Sequence, residues 1–153
     1  MSSIKLTSIP DEKRENYLDE LLLADENESI VRTYLFDGEL FSIQRDHKSI
    51  GVALFTFNEP GTVELKNIAL QPGLRNHGYG KKVIDQAETY YHSKGYQKLI
   101  VATANSSIDN IAFYQKCGFR LVELEFDFFT NYPKPIYEHG IRAKDKLIFA
   151  KTI

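Results

Sequence analysis

The sequence predicts an α/β fold, one mixed β-sheet with helices on both faces. Three observations predict it. Along 153 residues the apolar spacing switches repeatedly between period two and period 3.6. Three strand-like segments follow one another in the middle of the chain, which favours antiparallel pairing. A β-α-β passage comes after them, which favours a parallel crossover. The length suits one hydrophobic core, so residues 1–153 are expected to form a single domain.

The elements follow in order. Ile4 to Thr7 alternates and reads as a short strand. Pro10 and Asp11 suit the first turn of a helix, and Tyr17, Leu18, Leu21 and Leu22 carry its apolar stripe as far as Leu23. A second short helix is expected over Glu28 to Phe36, stopping near Gly38. Glu39 to Arg45 and Ser49 to Phe57 read as strands joined by a tight hairpin at Asp46, His47 and Lys48. Turn residues at Asn58 to Gly61 lead into the strand Thr62 to Leu70, ended by Pro72 and Gly73. Val83, Ile84, Ala87, Tyr90 and Tyr91 share helical spacing within Gly78 to Lys94, and Gly95 occupies the position of a helix C-terminal glycine. Lys98 to Ala104 reads as a buried strand, and Ser107 to Lys116 as a helix stopped by Gly118. Phe119 to Phe129 and Leu147 to Lys151 read as the last strands. The polar stretch Thr130 to Lys146, with two prolines, is expected to be irregular. The chain shows no repeat, low-complexity segment or linker.

Composition excludes several classes. The formal net charge is -2, so no basic surface announces a nucleic-acid partner. No apolar run approaches the roughly 20 residues of a membrane span, and Met1 to Pro10 lacks a signal-peptide core. No membrane association is expected, and a cytoplasmic location is the default expectation. The single cysteine, Cys117, cannot form an internal disulfide, which suits a reducing compartment. It has no partner in the sequence that would activate it as a nucleophile, and reads as a small core residue. Of the four histidines, His47 reads as a hairpin residue and His92 as a surface helix residue. Their spacing suits no metal, so no metal is expected.

The most informative segment runs from Val63 to Lys81. A strand enters a turn, and the turn opens a helix with glycines at Gly78 and Gly80. Glycine lets backbone N–H groups approach a ligand closely, and the first N–H groups of a helix have no partners within it. The combination is an anion site. Arg75, Asn76, His77, Gly78, Tyr79, Gly80 and Lys81 are its candidate residues, with Arg75, Lys81 and Lys82 adding positive charge and His77 contributing through its backbone. The dinucleotide-binding fingerprint is excluded because it needs a third glycine after a first strand. The phosphate-binding loop of NTPases is excluded because Gly-Lys-Ser/Thr is absent.

Two motifs together resemble the GNAT superfamily of N-acetyltransferases. Arg75-x-x-Gly78-x-Gly80 is similar to that family's pyrophosphate loop. Phe113-Tyr114-Gln115-Lys116-Cys117-Gly118-Phe119 is similar to its second signature, a tyrosine near a helix end followed by Gly-Phe entering a strand. The resemblance covers Val63 to Arg120 firmly. It implies a GNAT-like acyl-CoA N-acyltransferase fold of about seven strands, parted at the centre between Thr62–Leu70 and Lys98–Ala104. It implies acetyl-CoA as co-substrate, its pantetheine arm pairing with free backbone groups of Ile68, Ala69 and Leu70 and its pyrophosphate on Arg75 to Lys81. The family often has an asparagine seven residues before the tyrosine. Here that position is Ser107, and Asn105 or Asn110 is expected to take over. Relatives often form homodimers, so a second copy is an expected partner on the same ground.

The reaction implied needs a neutral amine, and a lysine-like amine with pKa near 10.4 is neutral in only about one molecule in a few thousand at pH 7. Glu64, eleven residues before Arg75, stands where several family members carry their base, acting directly or through water. The plainer alternative is an exposed strand carboxylate paired with Lys66 or another cation. Alternation places Glu64, Lys66 and Ile68 on one face and Leu65 and Asn67 on the other. The resemblance makes the N–H of Ile68 the oxyanion donor and Tyr114 the acid or hydrogen-bond donor toward the leaving sulfur; the alternative for Tyr114 is a core aromatic. The resemblance places the acceptor amine among the first two helices and the last hairpin. There Asp25-Glu26-Asn27-Glu28 and the tyrosines of Tyr132 to His139 suit a cationic small molecule or peptide. A non-catalytic acyl-CoA-binding or sensing domain is the alternative function.

Overall fold

The computed structural model describes residues 3–153; Met1 and Ser2, part of the N-terminal stretch read above, lie outside the described residues. Seven strands form one sheet in the order β1-β2-β3-β4-β5-β9-β6. They are β1 (Ile4–Ser8), β2 (Glu39–Arg45), β3 (Lys48–Glu59), β4 (Thr62–Leu70), β5 (Lys98–Ala104), β6 (Arg120–Glu125) and β9 (Lys146–Thr152). A separate two-stranded hairpin joins β7 (Tyr137–Glu138) to β8 (Ile141–Arg142). Among the described residues only β4 and β5 run parallel; the other pairs of the large sheet are antiparallel. The expected mixed sheet is therefore present, with its parallel step at the crossover.

Helices cover both faces. α1 (Leu18–Leu21) and α2 (Glu28–Tyr34) bury Leu21, Val31 and Leu35 against Leu40, Val52 and Leu54. On the other face α3 (Tyr79–Ser93) and α4 (Ile108–Lys116) close a larger core around Phe55, Ile84, Tyr91, Leu99 and Phe149. Cys117 is buried in that core, as its small apolar character suggested. The β2–β3 turn has Asp46 and His47 at φ 51° and 68°. Two left-handed residues between Arg45 and Lys48 make the tight hairpin whose twist matches the strands.

Three expectations change. Asp11 to Leu23 is not one α-helix: a 3-10 helix spans Asp11–Tyr17, and only Leu18–Leu21 is α-helical. The buried Arg14 explains why. Its guanidinium donates to the carbonyls of Leu35, Asp37 and Gly38 at 3.0, 2.6 and 2.6 Å, so tertiary anchoring sets the local winding. The strand expected to reach Phe129 ends at Glu125, because Asp127 turns left-handed at φ 62° and begins a 3-10 turn over Phe128–Asn131. The stretch expected to be irregular contains the β7–β8 hairpin, turned through His139 and Gly140, both at positive φ.

A fourth change matters for chemistry. Across β3, Leu54 pairs with Asn67 and Phe55 with Leu65, so Lys66 is an extra residue, a β-bulge. Strict alternation fails there. Val63 and Leu65 face the α3/α4 core, joined by Ile68 and Leu70. Asn67 and Ala69 face α1 and α2 instead. Glu64, opposite Thr56, shares that second side with Lys66, whose ammonium lies 5.4 Å from the Tyr34 ring centre. Glu64, Lys66 and Asn67 thus lie together, and Ile68 lies on the opposite face from them.

Candidate functional site

β4 and β5 pair only at their beginnings, from Thr62 with Lys98 to Leu65 with Val101. Beyond the bulge the strands part. β3 continues along β4 to Leu70, and β9 continues along β5 to Ala104, so only the facing edges are left open. Ile68, Ala69 and Leu70 line one of them. Among the described residues their β5-facing backbone groups have no strand partner, and they suit an extended, amide-bearing ligand.

At the end of β4 lies the glycine-bearing turn. Asn76 and Gly78 have φ of 64° and 80°, and Arg75, Asn76, His77 and Gly78 are exposed. Left-handed residues just before a helix turn successive amides toward one point, a concavity that suits anions. α3 starts at Tyr79 with no side-chain cap and no acidic residue in its first turn. Its first intrahelical bond of the opening turn runs from the N–H of Lys82 to the carbonyl of Gly78 at 3.2 Å, so the preceding amides are open to a ligand. These residues fit a diphosphate. Gly80 has a further reason to be glycine: a Cβ there would stand 2.9 Å from Cζ of Phe113 on α4. The ammonium of Lys81 turns to Asp85 at 3.2 Å, away from the turn. Tyr79 is buried, stacked with His77 and flanked by Arg45, 5.3 Å from the ring centre. Arg45 was not legible from the motif because it arrives from β2.

Tyr114 and Glu64 stand on opposite sides of the sheet near the gap. Tyr114 is buried on the α3/α4 side against Phe113, Phe119 and Phe149. Burial pushes its phenol up to about 12, with a smaller contribution from Cys117, so it is a protonated donor at neutral pH. Glu64 is buried on the α1/α2 side, in a groove also lined by Ile100, Ala102, Lys146 and Ile148. No ion pair joins it to Lys66 or to another cation among the described residues.

The two asparagines differ. Asn105 donates to the carbonyl of Arg142 and accepts from the N–H groups of Lys144 and Asp145 at 2.8 and 3.0 Å, which ties down the segment before β9. Among the described residues Asn110 donates only to the Thr103 hydroxyl, at 3.3 Å, and its carbonyl oxygen accepts no bond. Ser107 does not replace the family asparagine: it donates to Glu138 at 2.6 Å, as Ser106 does at 3.0 Å.

The acidic segment also divides. Asn27 caps α2 by accepting from the N–H of Ile30, and Glu28 pairs with Arg32. Asp25 instead accepts from the Tyr34 hydroxyl at 3.1 Å. Tyr132 belongs to the same neighbourhood, its phenol pushed up to about 12 by burial and by the Asp25 carboxylate. Tyr132 also lines a groove with Ile30, Glu125 and Asp127.

Known proteins agree with this geometry. Residues 6–119 match the model of the acetyltransferase (GNAT) family. The chain is 36% identical over 136 residues to an uncharacterized N-acetyltransferase of Bacillus subtilis, YvbK, covering 88% of each. The fold superposes on an IAA acetyltransferase from Bacillus cereus with a TM-score of 0.89 and 36% identity, over 99% of this chain and 100% of that one. A GNAT family acetyltransferase from Elizabethkingia anophelis with acetyl-CoA bound gives 0.85 and 32%, over 99% and 98%. The parted strands, the uncapped glycine turn and these relatives lead to one conclusion: the chain belongs to the GNAT acetyltransferase family.

Proposed function

We propose that this protein is an acetyl-CoA-dependent N-acetyltransferase that moves the acetyl group directly to a primary amine. The observation carrying this is the gap between β4 and β5, with an uncapped α3 N-terminus at one end and Glu64 and Tyr114 on its two sides. The amides from Arg75 to Lys81 hold the diphosphate. The open edge of Ile68, Ala69 and Leu70 holds the pantetheine arm, with Asn110 as the side-chain contact because the Asn105 carbonyl oxygen already accepts from Lys144 and Asp145 while that of Asn110 does not. The E. anophelis relative, with acetyl-CoA bound, supports this reading.

The amine arrives on the α1/α2 side, where Glu64 takes its proton directly or through water. The lone pair attacks the thioester carbonyl, and the N–H of Ile68 stabilises the oxyanion; such a donor contributes roughly 2.7–4 kcal/mol. Collapse expels the thiolate, and Tyr114 on the far side gives it a proton. Asp25, Glu125 and Asp127 favour a cationic small molecule or peptide as acceptor.

The test has two arms. Free acetyl-CoA at about a hundred times its dissociation constant should add ~2.7 kcal/mol to unfolding stability. Amines should then release free CoA. No thermal shift would refute cofactor binding, and a shift without turnover on a broad amine panel would leave only the binding function.

A further inference from the structure

Asn67 sits on β4 immediately after the bulge, where the strand has left β5. It is only 5% exposed. Its Nδ2 donates to the carbonyl of Leu21 at 3.1 Å and to the Tyr34 hydroxyl at 2.9 Å, and that hydroxyl donates onward to Asp25. The Leu21 carbonyl is an acceptor only, so the nitrogen must face it and the orientation of the amide is determined. Oδ1 is buried and has no hydrogen-bond partner among the described residues. A buried amide oxygen without a donor is costly, and this one is held rigidly at the open stretch of β4. The bulge puts it on the same side as Glu64.

We propose that Asn67 Oδ1 orients the attacking amine by accepting one of its N–H bonds, and that the site therefore selects primary amines over secondary ones. This rests on the acetyltransferase reading. A neutral primary amine has one lone pair and two N–H bonds. The lone pair forms the C–N bond as the carbonyl π electrons move to oxygen, and the C–S bond then breaks with its electrons on sulfur. One N–H is lost to Glu64 or its water; the other remains in the product amide and is the one Asn67 holds. Starting from the ammonium ion, two protons leave nitrogen per turnover; the thiolate takes up one and solvent the other. A secondary amine has a single N–H, which cannot be both held and lost. The amide of Asn67 is neutral at every working pH, so this orientation does not titrate. The chain to Tyr34 and Asp25 keeps its plane from turning.

The experiment compares n-propylamine, 2-phenylethylamine and 1,4-diaminobutane with their N-methyl derivatives. Wild-type protein is expected to prefer the primary member by at least about tenfold in kcat/KM. Asn67→Ala should lower kcat/KM for primary amines by about tenfold and change the N-methyl rates by less than about threefold, so that the preference collapses. Acetyl-CoA affinity should stay within about twofold of wild type. Tyr34→Phe, which loosens the amide without removing it, should shift the ratio in the same direction by less, and it decides the matter if Asn67→Ala does not fold. A preference that survives in the variants, with both amine classes falling in parallel, would show Asn67 to be structural and overturn the inference. Wild-type protein that binds acetyl-CoA but acetylates no amine would overturn the acetyltransferase reading itself.

Discussion

Replacing Tyr114 with phenylalanine separates the catalytic reading of this residue from a purely structural one. The ring packs 5.4, 5.8 and 6.3 Å, centre to centre, from Phe113, Phe119 and Phe149, and phenylalanine keeps all three contacts. The hydroxyl has no hydrogen-bond partner among the described residues, so its removal strands no buried group. Stability should therefore change by less than ~1 kcal/mol, whereas truncation to alanine would open a cavity costing about 3–5 kcal/mol. Turnover should behave differently. A positioned acid contributes about 10²–10⁴ in rate, so Tyr114→Phe should lower kcat by at least about 100-fold, or ~2.7 kcal/mol in barrier. Because the phenol is pushed up to about 12, the wild-type rate should show no loss from its ionisation below that region. Steady-state release of free CoA, with thermal unfolding of the same samples, measures both effects. A folded Tyr114→Phe protein with kcat within about twofold of wild type would refute the acid role and leave the residue as core.

Other expected outcomes follow from other parts of the molecule. Glu64→Gln should lower turnover at neutral pH by about 10²–10⁴, and its rate should climb roughly tenfold per pH unit as the free amine fraction rises; a pH profile parallel to wild type would exclude Glu64 as the base. Gly38→Ala puts a Cβ 1.8 Å from the carbonyl oxygen of Phe55 at a residue with φ +54°, and should cost more than ~3 kcal/mol in urea unfolding. Arg14→Gln removes the guanidinium from the Leu35, Asp37 and Gly38 carbonyls and should cost at least ~3 kcal/mol, with a midpoint near wild type contradicting it. In alkaline solution, Tyr114 has a folded pKa raised above the ordinary value of about 10, so the folded state holds its proton more tightly. Its contribution to stability is complete below about pH 10 and is lost as pH rises through about 12. Burial raises Tyr34 and Tyr91 as well, which adds to the fall. A denaturation midpoint that stays constant between about pH 9 and 11.5 would contradict this.

The long elements were legible because their periods are carried by many residues at once. Val83, Ile84, Ala87 and Tyr91 all lie buried along α3. The hairpin at Asp46 and His47 and the turn at Gly78 were legible because left-handed turns demand particular residues. The bulge left a trace that strict alternation overrides: apolar positions run Val63, Leu65, then Ile68 and Leu70, a slip of one residue at Lys66. The 3-10 segment of Asp11–Tyr17 left none, since its winding follows carbonyls more than twenty positions away that anchor Arg14. For the same reason Asn105 and Asn110 looked alike as letters and differ as neighbours.

By itself the sequence determined the mixed sheet and the glycine turn at the head of α3, because these depend on local periodicity and on backbone angles that few residues tolerate; the family came from the resemblance of two motifs, Arg75 to Gly80 and Phe113 to Phe119. Tertiary structure alone decided which side of β4 each side chain occupies, that Glu64 and Tyr114 flank one gap from opposite faces, and that Asn67 is clamped between Leu21 and Tyr34. Those facts depend on a one-residue slip and on contacts between segments distant in the chain, and hydrogen bonds at such separations write no period into the sequence.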